Sequence, residues 1–235
     1  MRVVTWNCRG ALHRKAEFTS GFRADVLLVQ ECAPDVRLPG YGLPIWYPPY
    51  EGARKGTGVY VSNGWSAEWF SPEPDLPWIM RACVWFDRDS EGITLLAVWT
   101  NTGGGESRPP YAEQFTRILD RYEEEIVAGR CIIAGDLNAS MQGPSREAHA
   151  VNLARAEDLG LVSAYHHANG VTHGEEPDMT LRWVGPGRVE YRYHCDFVFV
   201  TRDLTENLGC HVQPLFELEV PPSDHQPVIV TIPAV

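Results

Sequence analysis

The sequence has no C-x-x-C pair, no long apolar run, no internal repeat and no linker-like shift in composition, and its acidic side chains outnumber its basic ones. Each of these features narrows the possibilities. Six cysteines, Cys8, Cys32, Cys83, Cys131, Cys195 and Cys210, are scattered through strand-like segments. This argues against a disulfide framework and reads as reduced, buried thiols in a cytoplasmic protein. A zinc site from Cys8, Cys32 and Cys195 is a weak alternative. Each of these thiols neighbours a polar residue (Asn7, Glu31, Asp196), and neighbours on a strand face opposite ways, so the thiols are expected to point into packing. No apolar stretch reaches the roughly 20 residues of a membrane span, and the N-terminal residues Met1 to Trp6 lack the apolar core of a signal peptide. With 20 Lys and Arg against 31 Asp and Glu, the net charge is −11. That argues against a general polyanion binder held by nonspecific charge. It leaves room for a local basic patch and suits a site that gathers carboxylates around a cation.

The 235 residues are 44% hydrophobic, enough for a sizeable core, and 1–235 reads as one domain. Strands are expected at 2–6, 25–31, 56–62, 65–70, 79–86, 93–100, 131–135, 161–165 and 228–232. A hairpin is expected from 180–184 and 191–200 around Gly185 to Gly187. Asp87 to Gly92 reads as a hairpin-like turn and Gly103 to Gly105 as the start of a flexible loop. Helices are expected at 11–22, at 111–127, where Phe115, Ile118, Leu119, Tyr122 and Ile126 repeat at three and four, and at 145–159. Five prolines between 34 and 49 make 33–50 loop, and 166–177 reads as loop as well. Strands come both in runs and alternating with helices, which predicts an α+β fold: two packed mixed β-sheets flanked by helices, a four-layer α/β-sandwich.

The stretch Cys131-Ile-Ile-Ala-Gly-Asp-Leu-Asn-Ala-Ser140 is the most informative. Its apolar run suits a buried strand and is too short for a helix. It delivers Asp136 and Asn138 where the strand ends, two apart and therefore to the same side. Alone, these two residues are equally well read as turn caps. The rest of the chain weighs against capping. Asn7, Glu31, Asp136 with Asn138, Asp196, and Asp224 with His225 all end or closely follow apolar runs. Carboxylates brought together repel, and a divalent cation relieves this. Oxygen and amide donors without an associated His or Cys cluster favour Mg²⁺ or Mn²⁺.

Trp6-Asn7, Gln30-Glu31, Gly135-Asp136-Leu137-Asn138, His194-Cys195-Asp196-Phe197-Val198-Phe199 and Ser223-Asp224-His225-Gln226-Pro227-Val228 follow one another in that order. Together they resemble the endonuclease/exonuclease/phosphatase family, over nearly the whole chain. The resemblance implies a helix-flanked β-sandwich and Mg²⁺-dependent hydrolysis of phosphoesters. It implies Glu31 as the principal metal ligand, with Asn7 and Asp224 completing or supporting the shell. Asp136 would orient or deprotonate the attacking water, Asn138 would position water or phosphate, and His225, held by Asp196, would stabilise charge on the phosphate. The family's usual His after the strand at 93–100 is absent, and Thr100 or Asn101 stands there; Tyr111 is the candidate to reach the site instead. Arg81 is weighed evenly between a phosphate contact and a surface arginine.

His166, His167 and His173, with Glu175, Glu176 and Asp178, read as a solvated loop in preference to a second metal site, and His149 has no motif support. Trp46, Tyr47 and Tyr50, flanked by Arg54 and Lys55, suit either base stacking or local packing. The expected activity is a Mg²⁺-dependent phosphodiesterase acting on nucleic acid. The alternatives are a phosphatase or phosphodiesterase for a small molecule or lipid head group, and a noncatalytic scaffold, which the intact polar set argues against.

Overall fold

The computed structural model describes residues 1–86, 91–103 and 108–233. Asp87 to Ser90 of the expected turn and Gly104 and Gly105 of the expected loop lie outside the described residues. Among the described residues the strands are β1 (Arg2–Asn7), β2 (Val26–Cys32), β3 (Ile45–Tyr47), β4 (Gly56–Val61), β5 (Ser66–Trp69), β6 (Ile79–Trp85), β7 (Ile93–Trp99), β8 (Cys131–Asp136), β9 (Leu161–Ser163), β10 (Leu181–Val184), β11 (Glu190–Tyr193), β12 (Asp196–Thr201), β13 (Gly209–Val212) and β14 (Val228–Thr231). The helices are α1 (Ala16–Phe22), α2 (Tyr111–Arg121), α3 (Glu123–Val127), α4 (Arg146–Asp158) and α5 (Ala164–Asn169).

Two six-stranded sheets form, in the orders β13-β14-β1-β2-β4-β3 and β5-β6-β7-β8-β12-β9, with β10-β11 as a separate hairpin. Each large sheet has one parallel pair near its centre, β1 with β2 and β7 with β8; the other pairings are antiparallel. Both mixed sheets and the flanking helices agree with the expected four-layer sandwich. The inner faces share one core, including Val3, Leu28, Leu95, Ile132, Val198 and Val230. The outer face of the second sheet carries Phe115, Ile118 and Leu119 of α2 against Ile133 and Phe199. Each such fully buried aliphatic or aromatic side chain is worth about 1.5–3 kcal/mol of transfer free energy.

Several elements differ from the sequence reading. The expected helix at 11–22 is a 3₁₀ turn at Leu12–Arg14 followed by α1, because Lys15 leaves helical geometry and sends its ammonium back to the carbonyls of Cys8 and Gly10. The loop at 33–50 contains β3, a three-residue edge strand on β4. Its flanking prolines keep it short without removing it. The helix at 111–127 breaks at Tyr122, whose backbone (φ −110°, ψ 20°) is not helical. Residues 164–169 are helix, so His166 and His167 lie on α5. The segment 191–200 is not one strand. It divides at His194 and Cys195, with β11 pairing β10 and β12 pairing β8 and β9 in the other sheet.

Candidate active site

β1, β2, β8 and β12 deliver polar residues to one end of the sandwich. Asp196, the first residue of β12, stands directly opposite Asp136, the last of β8. Asn7 ends β1 and pairs in parallel with Gln30 of β2. Glu31 follows in a bulge between Val29 and Cys32, with a left-handed φ of 58°. That conformation is costly for a residue with a Cβ and turns the side chain out of the strand's alternation. The segment 221–227, which brings in Asp224 and His225, is tied to β1 at two points and braced within itself at a third. Trp6 Nε1 donates to the His225 carbonyl at 3.1 Å. Ser223 Oγ donates to the Asn7 carbonyl at 2.7 Å and accepts the His225 backbone N–H at 3.1 Å.

Asn7 joins the two sheets: its Nδ2 donates to Asp136 Oδ2 at 2.9 Å and to Glu31 Oε1 at 3.2 Å. Asp136 is fully buried. It also accepts the backbone N–H of Asn138 at 2.9 Å and the Asn138 side-chain amide at 3.1 Å. Asn138 reaches back by taking a left-handed φ of 47°. The strand end must also pass close to β7 at Gly135 (φ 152°), where an added Cβ would sit 1.8 Å from the Val98 carbonyl oxygen. Only glycine fits there. Burial, reinforced by the charge of Asp196, raises the Asp136 carboxyl to about 7 against the opposing charge of His225 and the Asn7 hydrogen bond.

His225 Nδ1 lies 2.8 Å from Asp196 Oδ2, and its Nε2 lies 3.9 Å from Asp136 Oδ2. Burial alone would lower the imidazole, but the anions of Asp196 and Asp136 and the hydrogen bond to Asp196 outweigh it and raise it to about 10. His225 is therefore a buried imidazolium oriented by one carboxylate and facing another. The backbone N–H groups of Cys195 and Asp196 both donate to Thr180 Oγ1 at 3.0 Å. Asp196 Oδ1 is buried without a hydrogen-bond partner.

Two carboxylates at the mouth of the cluster carry cations. Lys55 Nζ is 2.6 Å from Glu31 Oε2, and Arg9 Nη1 is 3.4 Å from Asp224 Oδ2. Glu31, Asp224 and Asn7 each offer a side-chain oxygen, the hard donor type that would suit a divalent cation. The Asn7 amide, shared between Glu31 and Asp136, ties Glu31 to the buried carboxylate.

The other sequence candidates take different places. Thr100 donates its hydroxyl to the Leu137 carbonyl at 2.5 Å, and its own carbonyl accepts from Asn138 Nδ2 at 2.9 Å, so it braces the Asn138 turn. Asn101 Nδ2 donates to the Trp99 carbonyl at 2.9 Å, and the Asn101 backbone N–H donates to Gln114 Oε1 at 3.1 Å. Tyr111 lines a concavity beside Asn138 together with Trp183, Tyr193 and Cys195. Arg81 is not brought to the cluster: it pairs with Glu125 at 3.2 Å and lies 4.5 Å over the Phe70 ring. Trp46 and Tyr47 pack locally, on the Cys32 carbonyl and on Trp69, while Tyr50 is 41% exposed and shares a concavity with Arg54, Lys55 and Asn101.

Cys8 and Cys32 are buried thiols in the core beneath β1 and β2, as expected, and no cysteine is disulfide-bonded. Cys195 departs from the expectation. It lies between β11 and β12, outside strand alternation, and its Sγ is 3.6 Å from Asp196 Oδ2. Sequence reasoning did not single out Arg9, Thr180 or the bonding of Ser223. No local pattern marks them, because their partners lie far along the chain.

The profile of the "Endonuclease/Exonuclease/phosphatase family" matches residues 4–225. The chain belongs to that family. It is thereby a hydrolase of phosphoester bonds, in a family whose members generally depend on a divalent metal. Solved structures share the fold throughout. The endonuclease domain of TRAS1, a telomere-specific non-LTR retrotransposon, is 19% identical with a TM-score of 0.71, covering 99% of this chain and 98% of that one. An AP endonuclease from Leishmania major is 19% identical with a TM-score of 0.72, covering 97% and 86%. A 3′ phosphatase from Neisseria, bound to product DNA hairpin, is 17% identical with a TM-score of 0.72, covering 99% of each chain. Among curated proteins none matches. No helix among the described residues is long and apolar enough to cross a membrane.

Proposed function

We propose that residues 1–235 act as one catalytic domain that hydrolyses phosphodiester bonds of nucleic acid. Mg²⁺, or Mn²⁺ in its place, would be held by Glu31 with Asn7 and Asp224. The observation that carries this reading is the state of Asp136: fully buried, gripped by the amides of Asn7 and Asn138, and raised to about 7 by its burial. A carboxylate with that value is matched to proton transfer near neutral pH.

When bound, the cation neutralises charge on the phosphate. The chain's own groups do the rest. Asp136 takes the proton of the attacking water, and Asn138, turned toward it, positions that water or a phosphate oxygen. His225, protonated and fixed by Asp196, aims its Nε2 N–H at the phosphate oxygen on which negative charge grows. Lys55 and Arg9, which pair with Glu31 and Asp224, would meet the phosphate backbone. Trp183 and Tyr193 with Tyr111 give the concavity next to Asn138 an aromatic wall that suits a nucleobase or sugar better than a bare inositol or lipid head group. Reduced thiols suit a cytoplasmic setting.

The test is a screen with Mg²⁺ against single- and double-stranded DNA, RNA, phosphomonoesters and head-group phosphoesters. Cleavage of nucleic acid at rates above the small substrates is expected. Turnover confined to phosphomonoesters or head groups would replace the reading with the small-substrate alternative.

A further inference from the structure

Phe197 follows Asp196 on β12 and points the opposite way, into the core beneath the helices. Four imidazoles surround its ring. His149 and His194 have centroids 5.3 and 5.1 Å away, and His166 and His173 are both at 6.3 Å. They come from α4, from the link between β11 and β12, from α5 and from the segment after α5. Glu176, only 4% exposed, lies among them. His166, His173 and Glu176 each offer one ligand atom, and these atoms lie within 4.8 Å of one another.

Ordinary core packing does not account for the nitrogens. Buried polar atoms are almost always hydrogen-bonded. Here His173 Nδ1, His194 Nε2 and both nitrogens of His149 are buried without a partner. For His194 the consequence is definite. Its Nδ1 sits 2.8 Å from the Asp178 carbonyl oxygen, which can only accept. The proton is therefore on Nδ1, and Nε2 presents a bare lone pair to the interior.

The surroundings also resemble those of a metal ligand set. His166 Nδ1 is 2.7 Å from Ser163 Oγ, which fixes the ring so that Nε2 faces Glu176 Oε1 at 2.9 Å. Glu176 is held in turn by the Gly174 N–H at 3.0 Å and by the Gln142 side-chain amide. Such outer bonds are what orient imidazole and carboxylate toward an ion. The rings of His166 and His173 are stacked at 3.5 Å and already tilted by 28°, so a further tilt lets both nitrogens converge.

We propose that His166, His173 and Glu176 bind a Zn²⁺ ion, with the free Nε2 of His194 as the fourth ligand. Two or three imidazoles and one carboxylate form a borderline, nitrogen-rich set that selects zinc over magnesium, in contrast to the oxygen set of Glu31, Asp224 and Asn7. His194 meets His166 edge-on, their ring centroids 5.5 Å apart, and would move inward to complete the shell. The ion would pin α5 and the 172–178 segment to the link between β11 and β12. Asp178 and Thr180 leave that segment to support His194 and the backbone of Asp196, so the zinc site would brace the back of the active site. His167 is exposed and Asp178 instead accepts from Tyr165 Oη at 2.8 Å, so neither belongs to the set.

The test uses the full chain, stripped with chelator and titrated with Co²⁺ and Zn²⁺. Elemental analysis should give one zinc per chain, and cobalt should give the visible absorption of a tetrahedral site. Zinc should raise the melting temperature. His173→Ala, at a partly buried position, and the isosteric Glu176→Gln should each weaken zinc by more than the roughly 10- to 100-fold typical of an outer-shell change. Glu31→Gln should leave the cobalt signal intact. The proposal is overturned if the wild-type chain takes up no zinc. It is equally overturned if both variants bind as tightly as wild type, or if the signal disappears in Glu31→Gln, which would assign the ion to the catalytic oxygens.

Discussion

Trp6 donates its indole N–H to the carbonyl oxygen of His225, 219 residues away, at 3.1 Å. Both residues are buried. The bond fixes where the His225 backbone sits relative to β1, and hence where its ring meets Asp136 and Asp196.

Trp6→Phe keeps most of the apolar bulk, which packs edge-on against Phe22 at 5.6 Å, and leaves the carbonyl without a donor. Stability should fall by about 1–3 kcal/mol. Turnover should fall with little change in KM, because the displaced ring serves the transition state more than binding. Urea unfolding and steady-state kinetics check both. Unchanged kcat with reduced stability would confine Trp6 to packing.

Hydrolysis should vanish in excess chelator and return with Mg²⁺ or Mn²⁺. Glu31→Gln should bind the ion more weakly and need more of it for half-maximal rate, while the chain stays folded, since Glu31 is partly exposed at the mouth of the site. Metal titrations of activity measure this. Activity undiminished in excess chelator would remove the proposed mechanism.

Asp136, His225 and Asp196 should separate in kinetics. Asp136→Asn keeps the shape and removes the proton acceptor, so single-turnover rates should drop roughly 10²-fold or more while substrate affinity survives. His225→Ala removes the donor aimed at developing charge and should cost a similar or larger factor, on the order of 10²–10³. Asp196→Asn should fall between wild type and these two, since the imidazole remains but loses its orienting anion. Loss of substrate affinity with an unchanged rate constant in Asp136→Asn would make Asp136 a binding group.

His149 should make the metal-free protein acid-labile. An unfolded histidine titrates near 6.5, while burial holds His149 at about 4 in the folded chain. The folded value lies below the unfolded one, so stability is full above pH 6.5. As pH falls below 6.5, the unfolded chain takes up a proton that the folded protein refuses, and stability declines until about pH 4. This group contributes a slope of at most about 1.4 kcal/mol per pH unit. His149→Leu removes the titration, and its urea midpoint should lose less between about pH 7.5 and about pH 5 than the wild type's. Equal losses would assign the lability to other groups.

Asn7, Asp136, Asp196 and His225 could be read from the sequence because each ends or adjoins an apolar run, and an apolar run announces a buried strand by itself. The same local logic located β8, α4 and the layered architecture. Elements that depend on distant neighbours were not legible. The proline-flanked residues 45–47 became a strand because β4 offered an edge, and 191–200 split because Asp196 found Asp136 across the other sheet. Glu31 appears in sequence as the end of a strand, yet a left-handed turn within a bulge is what aims it. The cations beside Glu31 and Asp224, and the four histidines gathered around Phe197, come from segments tens of residues apart. Hydrophobic periodicity fixes which face of an element is buried and where the element ends. Which polar groups then meet is set by sheet order and register, and those are decided only when the whole core packs.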